Sequence, residues 1–367
     1  MQTGTLSARG SRSTRHVAII GGGPAGVAAA ASLGELDISY TLLERGASAM
    51  AALDRVDPEM HLLSPTRLSR LPGMAMGSGE PTYLTFHSFV AKLRRYVAER
   101  TIRVTTGAEV FLVERAEGGF TVLWRESGTG AVHRLHATHV INATGIIATP
   151  RLSPGLDLTA CTVPWKHSLD VRASDLRGIR RLLVVGGGAS AAEVLDRWLE
   201  VRDPQARAWL SLRSRLRAFS NPILGIDVHY WVWLPERAPS WLLGDRASRL
   251  AEPMSGRHVL RAMKAGIISV IGPVASCNGA AVEASSGEAI AADFIVLATG
   301  FEYATRHLGD LVDYDAGGHA RVCCCESRRT PGVFLLGFKF GKTFASPYIR
   351  GIARDAAYVA RHIAGGR

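Results

Sequence analysis

The sequence predicts an α/β fold in which one doubly wound unit is inserted in another, and three observations predict it. Two stretches share one design. Val17-Ala18-Ile19-Ile20-Gly21-Gly22-Gly23-Pro24-Ala25-Gly26 and Leu182-Leu183-Val184-Val185-Gly186-Gly187-Gly188-Ala189-Ser190-Ala191 each run from a short apolar segment through a glycine-rich turn into an alanine-rich segment. The apolar segments read as buried parallel strands and the alanine-rich ones as helices, Gly26 to Leu33 and Ala189 to Leu199. Third, strands at Val140-Ile141-Asn142 and Phe294-Ile295-Val296-Leu297 both run into Ala-Thr-Gly, at Ala143-Thr144-Gly145 and Ala298-Thr299-Gly300. These two copies bracket the second glycine turn, the trace of a chain that leaves one domain, builds another and returns.

Each turn reads as a dinucleotide site. A pyrophosphate seats on the free N–H groups of a helix N-terminus, but only where the backbone turns tightly and no side chain blocks the approach. Gly21 makes the turn, Gly23 with Pro24 and Ala25 admits the phosphates, and Gly26 lets helix pack on strand; Gly186, Gly188 and Ala191 repeat the spacing, with Ala189 and Ser190 opening the second helix. Glu44, at the end of the strand Thr41-Leu42-Leu43 and about 20 residues past the first turn, is placed to hold ribose hydroxyls, with Arg45 beside it. After the second turn the strand Trp209-Leu210-Ser211-Leu212 ends in Arg213-Ser214, a cation and a hydroxyl suited to a 2'-phosphate, so NADPH is expected there.

The fold class is therefore α/β, with two Rossmann-type dinucleotide-binding domains. Residues 16–150 and 297–367 form the outer one, 151–296 the inserted one, and the polar, basic residues 1–15 read as a disordered N-terminus. A length of 367 residues, 47% hydrophobic and 20% charged, describes an ordinary globular protein of two domains. The formal charge of +11 is spread over scattered arginines, which reads as a basic surface and not as a nucleic-acid site. Nothing at the N-terminus resembles a signal peptide, and the apolar run Val17–Leu33 is broken by Gly21–Pro24, so no transmembrane segment is expected and the cytoplasm is the default location. Five cysteines, Cys161, Cys277 and the run Cys323-Cys324-Cys325, show no Cys-x-x-Cys pair and no zinc spacing, and no metal is expected. The triple run reads as structural free thiols.

Between the motifs, Met60–Gly73 is punctuated by proline and glycine and reads as irregular. Phe89, Val90, Leu93, Tyr96 and Val97 recur at helical spacing within Phe86–Arg100. Ile102-Arg103-Val104 followed by Ala108-Glu109-Val110 reads as a further strand of the parallel sheet. Gly119–Trp124 and Val132–Leu135 read as a hairpin around Gly128-Thr129-Gly130. A strand at Val333–Leu336 and a helix near Tyr348–Ile363 complete the outer domain. Tyr230, Trp231, Trp233 and Trp241 crowd the segment Ile223–Leu243, whose charges rule against a membrane span. Core, a subunit contact that would make a homodimer, an apolar pocket and a membrane-surface patch are its alternative readings.

On these motifs, together with Leu71-Pro72-Gly73, Ala192-Glu193 and Phe301, the sequence resembles the bacterial flavin-containing monooxygenases, the short CzcO-like flavoprotein oxidoreductases, from Val17 to Ile363. The resemblance implies FAD in the outer domain and NADPH in the inserted one. It places Glu44 on the adenosine ribose, the Val110 backbone at the adenine edge, Ala143, Thr144 and Gly145 near the pyrophosphate, and Ser64 with Pro65 near the isoalloxazine ring. Gly332–Gly337 resembles the last FAD-binding strand, and Gly300 and Gly337 join the cofactor-binding set. In the segment before the second turn His167, Ser168 and Arg172 fit the family pattern, with Cys161, Val163 and Val171 in place of its phenylalanine, glycine and aromatic; His167 is the candidate catalytic residue beside its reading as a linker histidine.

The expected reaction takes hydride from NADPH onto FAD and activates O2 as a flavin C4a-peroxide to oxygenate a soft nitrogen or sulfur of a small molecule. A helix N-terminus at Ser346–Tyr348 is expected to stabilise negative charge on the reduced ring. Two alternatives stand beside it: an NADPH-dependent flavoprotein reductase or oxidase, and a non-catalytic flavin-binding interaction protein.

Overall fold

The computed structural model describes residues 15–365 except 76, 78, 148, 154, 220, 234, 240–253, 316, 317 and 340. Trp241 and the stretch 1–14 lie outside the described residues.

Two parallel sheets carry the chain. The first has the order Val322–Cys323, Glu326–Ser327, Val333–Leu335, His139–Asn142, His16–Ile20, Ser39–Leu43, and its four strands from Val333–Leu335 to Ser39–Leu43 run parallel. Val17, Ala18 and Ile19 are wholly buried, because helices cover one face of this sheet and a β-layer the other. Helix Pro24–Gly34 starts on a proline whose missing N–H costs a helix nothing at that position, and Ala25 to Leu33 are all buried. Its alanines bring it close to the sheet and to helix Ile349–Ile363, with which it shares one core. Helix Phe86–Glu99 is capped by Thr85, whose hydroxyl accepts from Ser88 N–H, and turns Phe89, Val90, Leu93 and Tyr96 into that core.

The second sheet has the order Ile268–Ile271, Arg207–Ser211, Arg181–Val185, Phe294–Leu297, Trp165–His167, parallel throughout. Helix Ala189–Val201 packs on it through Val194, Leu195 and Trp198, the last wholly buried with its indole N–H donating to Ile179 O at 3.0 Å. The chain crosses between the sheets twice, and the crossings are tied together where Thr149–Pro150 pairs antiparallel with Phe301–Glu302.

One expected strand is corrected. Among the described residues, 102–104 join no strand, Thr105 alone bridges to Leu43, and Gly107, at φ +67°, turns the chain away. Ala108–Ala116 instead joins Gly119–Glu126 and Val132–Ala137 in a three-stranded antiparallel sheet. Glu109, Glu114 and Arg115 are exposed along it, a pattern that one wet face accepts and a parallel strand buried on both faces does not.

A covalent link also escapes sequence reading. Cys161 and Cys277 are joined as a disulfide with Cα atoms 5.1 Å apart, across a separation of 116 residues. Cys323, Cys324 and Cys325 are free, the last buried with its thiol directed at Asp355. Nor is the aromatic segment core: Tyr230, Trp231 and Trp233 are 47%, 48% and 42% exposed.

Candidate functional site: two glycine turns and their clefts

The first strand ends at Gly21, whose φ of +105° only glycine adopts at ease, and a Cβ there would come within 2.7 Å of Ala143 O. Gly23 faces open space. Around this turn lies a cavity of about 250 Å³ lined by Gly21, Gly23, Pro24, Ala25, Glu44, Arg45, Val110, Ala143, Thr144, Gly145 and Gly337. Eleven residues singled out in the sequence thus meet at one place. Gly26 lies just beneath, buried between helix and strand.

The Glu44 carboxylate is held by the backbone on both sides: Oε2 accepts from Gly22 N–H and Oε1 from Gly46 N–H, each at 2.6 Å. Each oxygen keeps a lone pair for a hydroxyl donor. Thr144 Oγ1 donates to Ala304 O at 2.9 Å, tying the first Ala-Thr-Gly to the returning segment.

One residue of this site was missed in the sequence. His307 lines the cavity and is buried, with Nε2 3.2 Å from Asn142 Oδ1. Burial pushes its pKa down to about 4, so the ring is neutral at pH 7 and Nε2–H donates to the amide oxygen. The buried Asn142 Nδ2 has no partner among the described residues. His307 carries no periodicity or motif that could have marked it, and its pairing with Asn142, which ends the strand before Ala143-Thr144-Gly145, shows only in the fold.

Other expected residues stand elsewhere. His167 stands outside the cavity lining: it is buried, Nε2 lies 3.0 Å from Gly300 O, and Nδ1 accepts from Leu169 N–H at 3.2 Å. Burial lowers its pKa, and both ring nitrogens are engaged by the backbone. Ser346 also stands outside the cavity lining. It is wholly buried, its hydroxyl accepts from Lys342 and Thr343 N–H, and the helix begins one residue past Tyr348, so Pro347 and Ile349 line the cavity in its place. Tyr348 is the N-cap residue and carries the Arg350 guanidinium over its ring. Ser64 Oγ lies 2.9 Å from Ser69 Oγ in the loop before the turn Thr66–Leu68, outside the cavity.

At the second turn Gly186, at φ +117°, repeats Gly21: a Cβ would come within 2.2 Å of Ala298 O. Gly188 faces open space and Ala189 begins the helix. Arg213 and Ser214 stand exposed beyond the end of the strand Arg207–Ser211. The two glycine cradles, the preset carboxylate and the exposed arginine therefore fit two dinucleotides.

A family pattern described as pyridine nucleotide-disulphide oxidoreductase matches residues 18–202. The chain belongs to that family. Its cofactors are FAD and NADPH. Among curated proteins it is similar to the indole-3-pyruvate monooxygenase YUCCA1 of Oryza sativa subsp. japonica, at 27% identity over 94% of this chain and 90% of that one. Among solved structures the flavin-containing monooxygenase from Stenotrophomonas maltophilia superposes with a TM-score of 0.76 at 23% identity, over 96% of this chain and 99% of that one. The bacillithiol disulfide reductase from Bacillus cereus follows at 0.73 and 19%, over 96% and 99%. These likenesses establish the two-domain oxidoreductase fold. Among the described residues no helix is long and apolar enough to cross a membrane, and no group of metal-ligating side chains converges.

Proposed function

We propose that this chain is an NADPH-dependent flavin monooxygenase that oxygenates a soft nitrogen or sulfur centre of a small molecule. The supporting observation is the repeated glycine cradle, each with an open glycine above a helix N-terminus, followed once by a preset carboxylate and once by an exposed arginine. The cavity around the first cradle has no cysteine in its lining, which favours oxygen chemistry over a dithiol relay. The similarity to named monooxygenases points the same way.

In this reading residues 16–150 and 297–367 bind FAD and 151–296 bind NADPH. When bound, FAD supplies the redox chemistry, accepting hydride from NADPH and activating O2 once reduced. The chain's own groups position and shield. Backbone N–H groups of Gly23 and Ala25 receive the pyrophosphate, Glu44 receives the ribose hydroxyls, and Val110 borders the adenine end. Neutral His307 borders the cavity without adding a charge to it and holds Asn142 behind the lining. Arg213 and Ser214 select the 2'-phosphate.

The oxidase or reductase reading has one specific support. In the segment before the second turn Cys161 is tied to Cys277 and Val163 and Val171 are buried, so that stretch is built into the inserted core instead of standing at a cofactor face. Measuring NADPH consumed, O2 consumed, hydrogen peroxide released and oxygenated product in the presence of amines and thioethers decides between them. Product equal to NADPH supports the monooxygenase. Peroxide equal to NADPH with every nucleophile tried assigns the chain to the oxidase class.

A further inference from the structure

We infer that the cleft between the loop 58–63 and helix Ala189–Val201 binds an organic ammonium ion and so selects amine-bearing molecules as substrates, an inference that rests on the monooxygenase reading above. The cleft holds about 690 Å³, enough for a small molecule. One wall runs directly into Ser64, and the other is the helix that starts at the second glycine turn, so the cleft lies between the two dinucleotide-binding units.

That helix turns a charged face into the cleft. Glu193, Asp196, Arg197 and Glu200 recur at helical spacing and all line it. Arg197 is already shared: its guanidinium lies 3.6 Å from both Asp57 Oδ2 and Glu59 Oε2 of the facing loop. Glu193 and Asp196 are left without such a partner. Among the described residues neither carboxylate makes a hydrogen bond, and Asp196 Oδ1 is buried unpaired.

Burial raises Glu193 to about 8, with Arg197 opposing and Asp196 and Asp57 adding to the rise. Asp196 is raised too, chiefly by burial, with His258 opposing and Glu200 reinforcing. With Glu193 at about 8 this pair keeps a proton at pH 7, and a cation with N–H donors entering the cleft would displace that proton and join both carboxylates. An ammonium supplies both charge and donors. A metal ion suits the site poorly, since no three ligating side chains converge among the described residues.

The test uses the oxidised holoenzyme and three thioethers of matched size: methylthio-ethylamine, methylthio-ethanol and methylthio-propanoate. Calorimetry should show the amine binding at least about tenfold more tightly than the alcohol, and the carboxylate not at all. In E193Q and D196N the amine should lose about tenfold while the alcohol, the FAD content and the KM for NADPH stay unchanged. Equal affinity for all three in the unaltered enzyme would overturn the inference. So would an E193Q variant whose KM for NADPH rises while the thioether series is unmoved, because the cleft would then serve the nicotinamide. Tight amine binding without sulfoxide from any thioether keeps the ammonium site and removes the monooxygenase reading instead.

Discussion

At the first glycine turn a Cβ on Gly21 would stop 2.7 Å from Ala143 O, and at the second a Cβ on Gly186 would stop 2.2 Å from Ala298 O. Both strands thus end against the alanine of an Ala-Thr-Gly, and the backbone solution is the same. What surrounds it differs. The first helix touches its turn so closely that a Cβ on Gly26 would lie 1.9 Å from Gly21 O, whereas the matching position of the second helix carries the methyl of Ala191, fully buried. The first acid, Glu44, is fixed by two N–H donors inside a cavity, while Arg213 stands in solvent. An enclosed, preset site suits a resident cofactor, and an open one suits a nucleotide that must come and go.

The largest expected effect breaks the symmetry directly. Gly26→Ala drives a methyl into a backbone carbonyl that cannot move without shifting the strand, and should cost about 3 kcal/mol or more. Ala191→Gly removes a methyl the second helix already accommodates and should cost only about 1 to 2 kcal/mol. Denaturant unfolding of both variants measures this; equal losses would mean that the two turns are packed alike after all.

Next comes Gly23→Val against Gly188→Val. A Cβ at either position meets open space, so both variants should fold. The first should be purified with sub-stoichiometric FAD because its side chain enters the pyrophosphate path, and the second should keep FAD but lose NADPH-driven reduction. Stoichiometric FAD on Gly23→Val would remove the first cradle from the cofactor site.

Each turn also has a buried histidine on its Ala-Thr-Gly strand end, His307 at Asn142 and His167 at Gly300, and burial lowers both pKa values. His307 is the stronger case. Its folded pKa of about 4 lies below the unfolded 6.5, so between these values the unfolded chain binds more protons. The stability from keeping this ring neutral is therefore fully present above pH 6.5 and is lost as pH falls toward 4, by about 3 kcal/mol in all. Unfolding measured across that window should be markedly less pH-dependent in His307→Gln than in the unaltered protein. An identical slope would show that the ring is already protonated in the fold.

The contrast explains what was legible in the sequence. Gly21, Glu44 and Thr144 carry local signals, a turn that needs positive φ, an acid at a strand end and a repeated tripeptide, and the structure brings all three to one cavity. His307 and Asn142 meet across a separation of 165 residues, and Cys161 meets Cys277 across 116, so only the folded chain shows either pair. The family pattern marks His167 as a candidate, but that its ring contacts Gly300 and Leu169 shows only in the fold. Residues 108–110 misled because three residues of a strand do not reveal whether its partner is parallel. Exposed Glu114 and Arg115 farther along that strand held the answer.

The smallest expected effect probes the open site. Arg213 is exposed, beyond the second strand of the inserted sheet and on the same chain end as Ser214. A guanidinium there can meet a 2'-phosphate with charge-assisted hydrogen bonds, which contribute about 1.5 to 3 kcal/mol. Arg213→Ala should therefore raise the KM for NADPH by roughly ten- to a hundredfold and leave NADH nearly unchanged, since NADH has no phosphate at that position. Because the guanidinium is solvated in the free protein, desolvation offsets part of the gain, and the lower end of that range is expected. The effect should shrink as ionic strength rises, whereas FAD binding inside its cavity should respond far less. Equal losses for both nucleotides would place Arg213 on the shared pyrophosphate, and no loss for either would leave it a surface arginine, with the 2'-phosphate read elsewhere on the inserted unit.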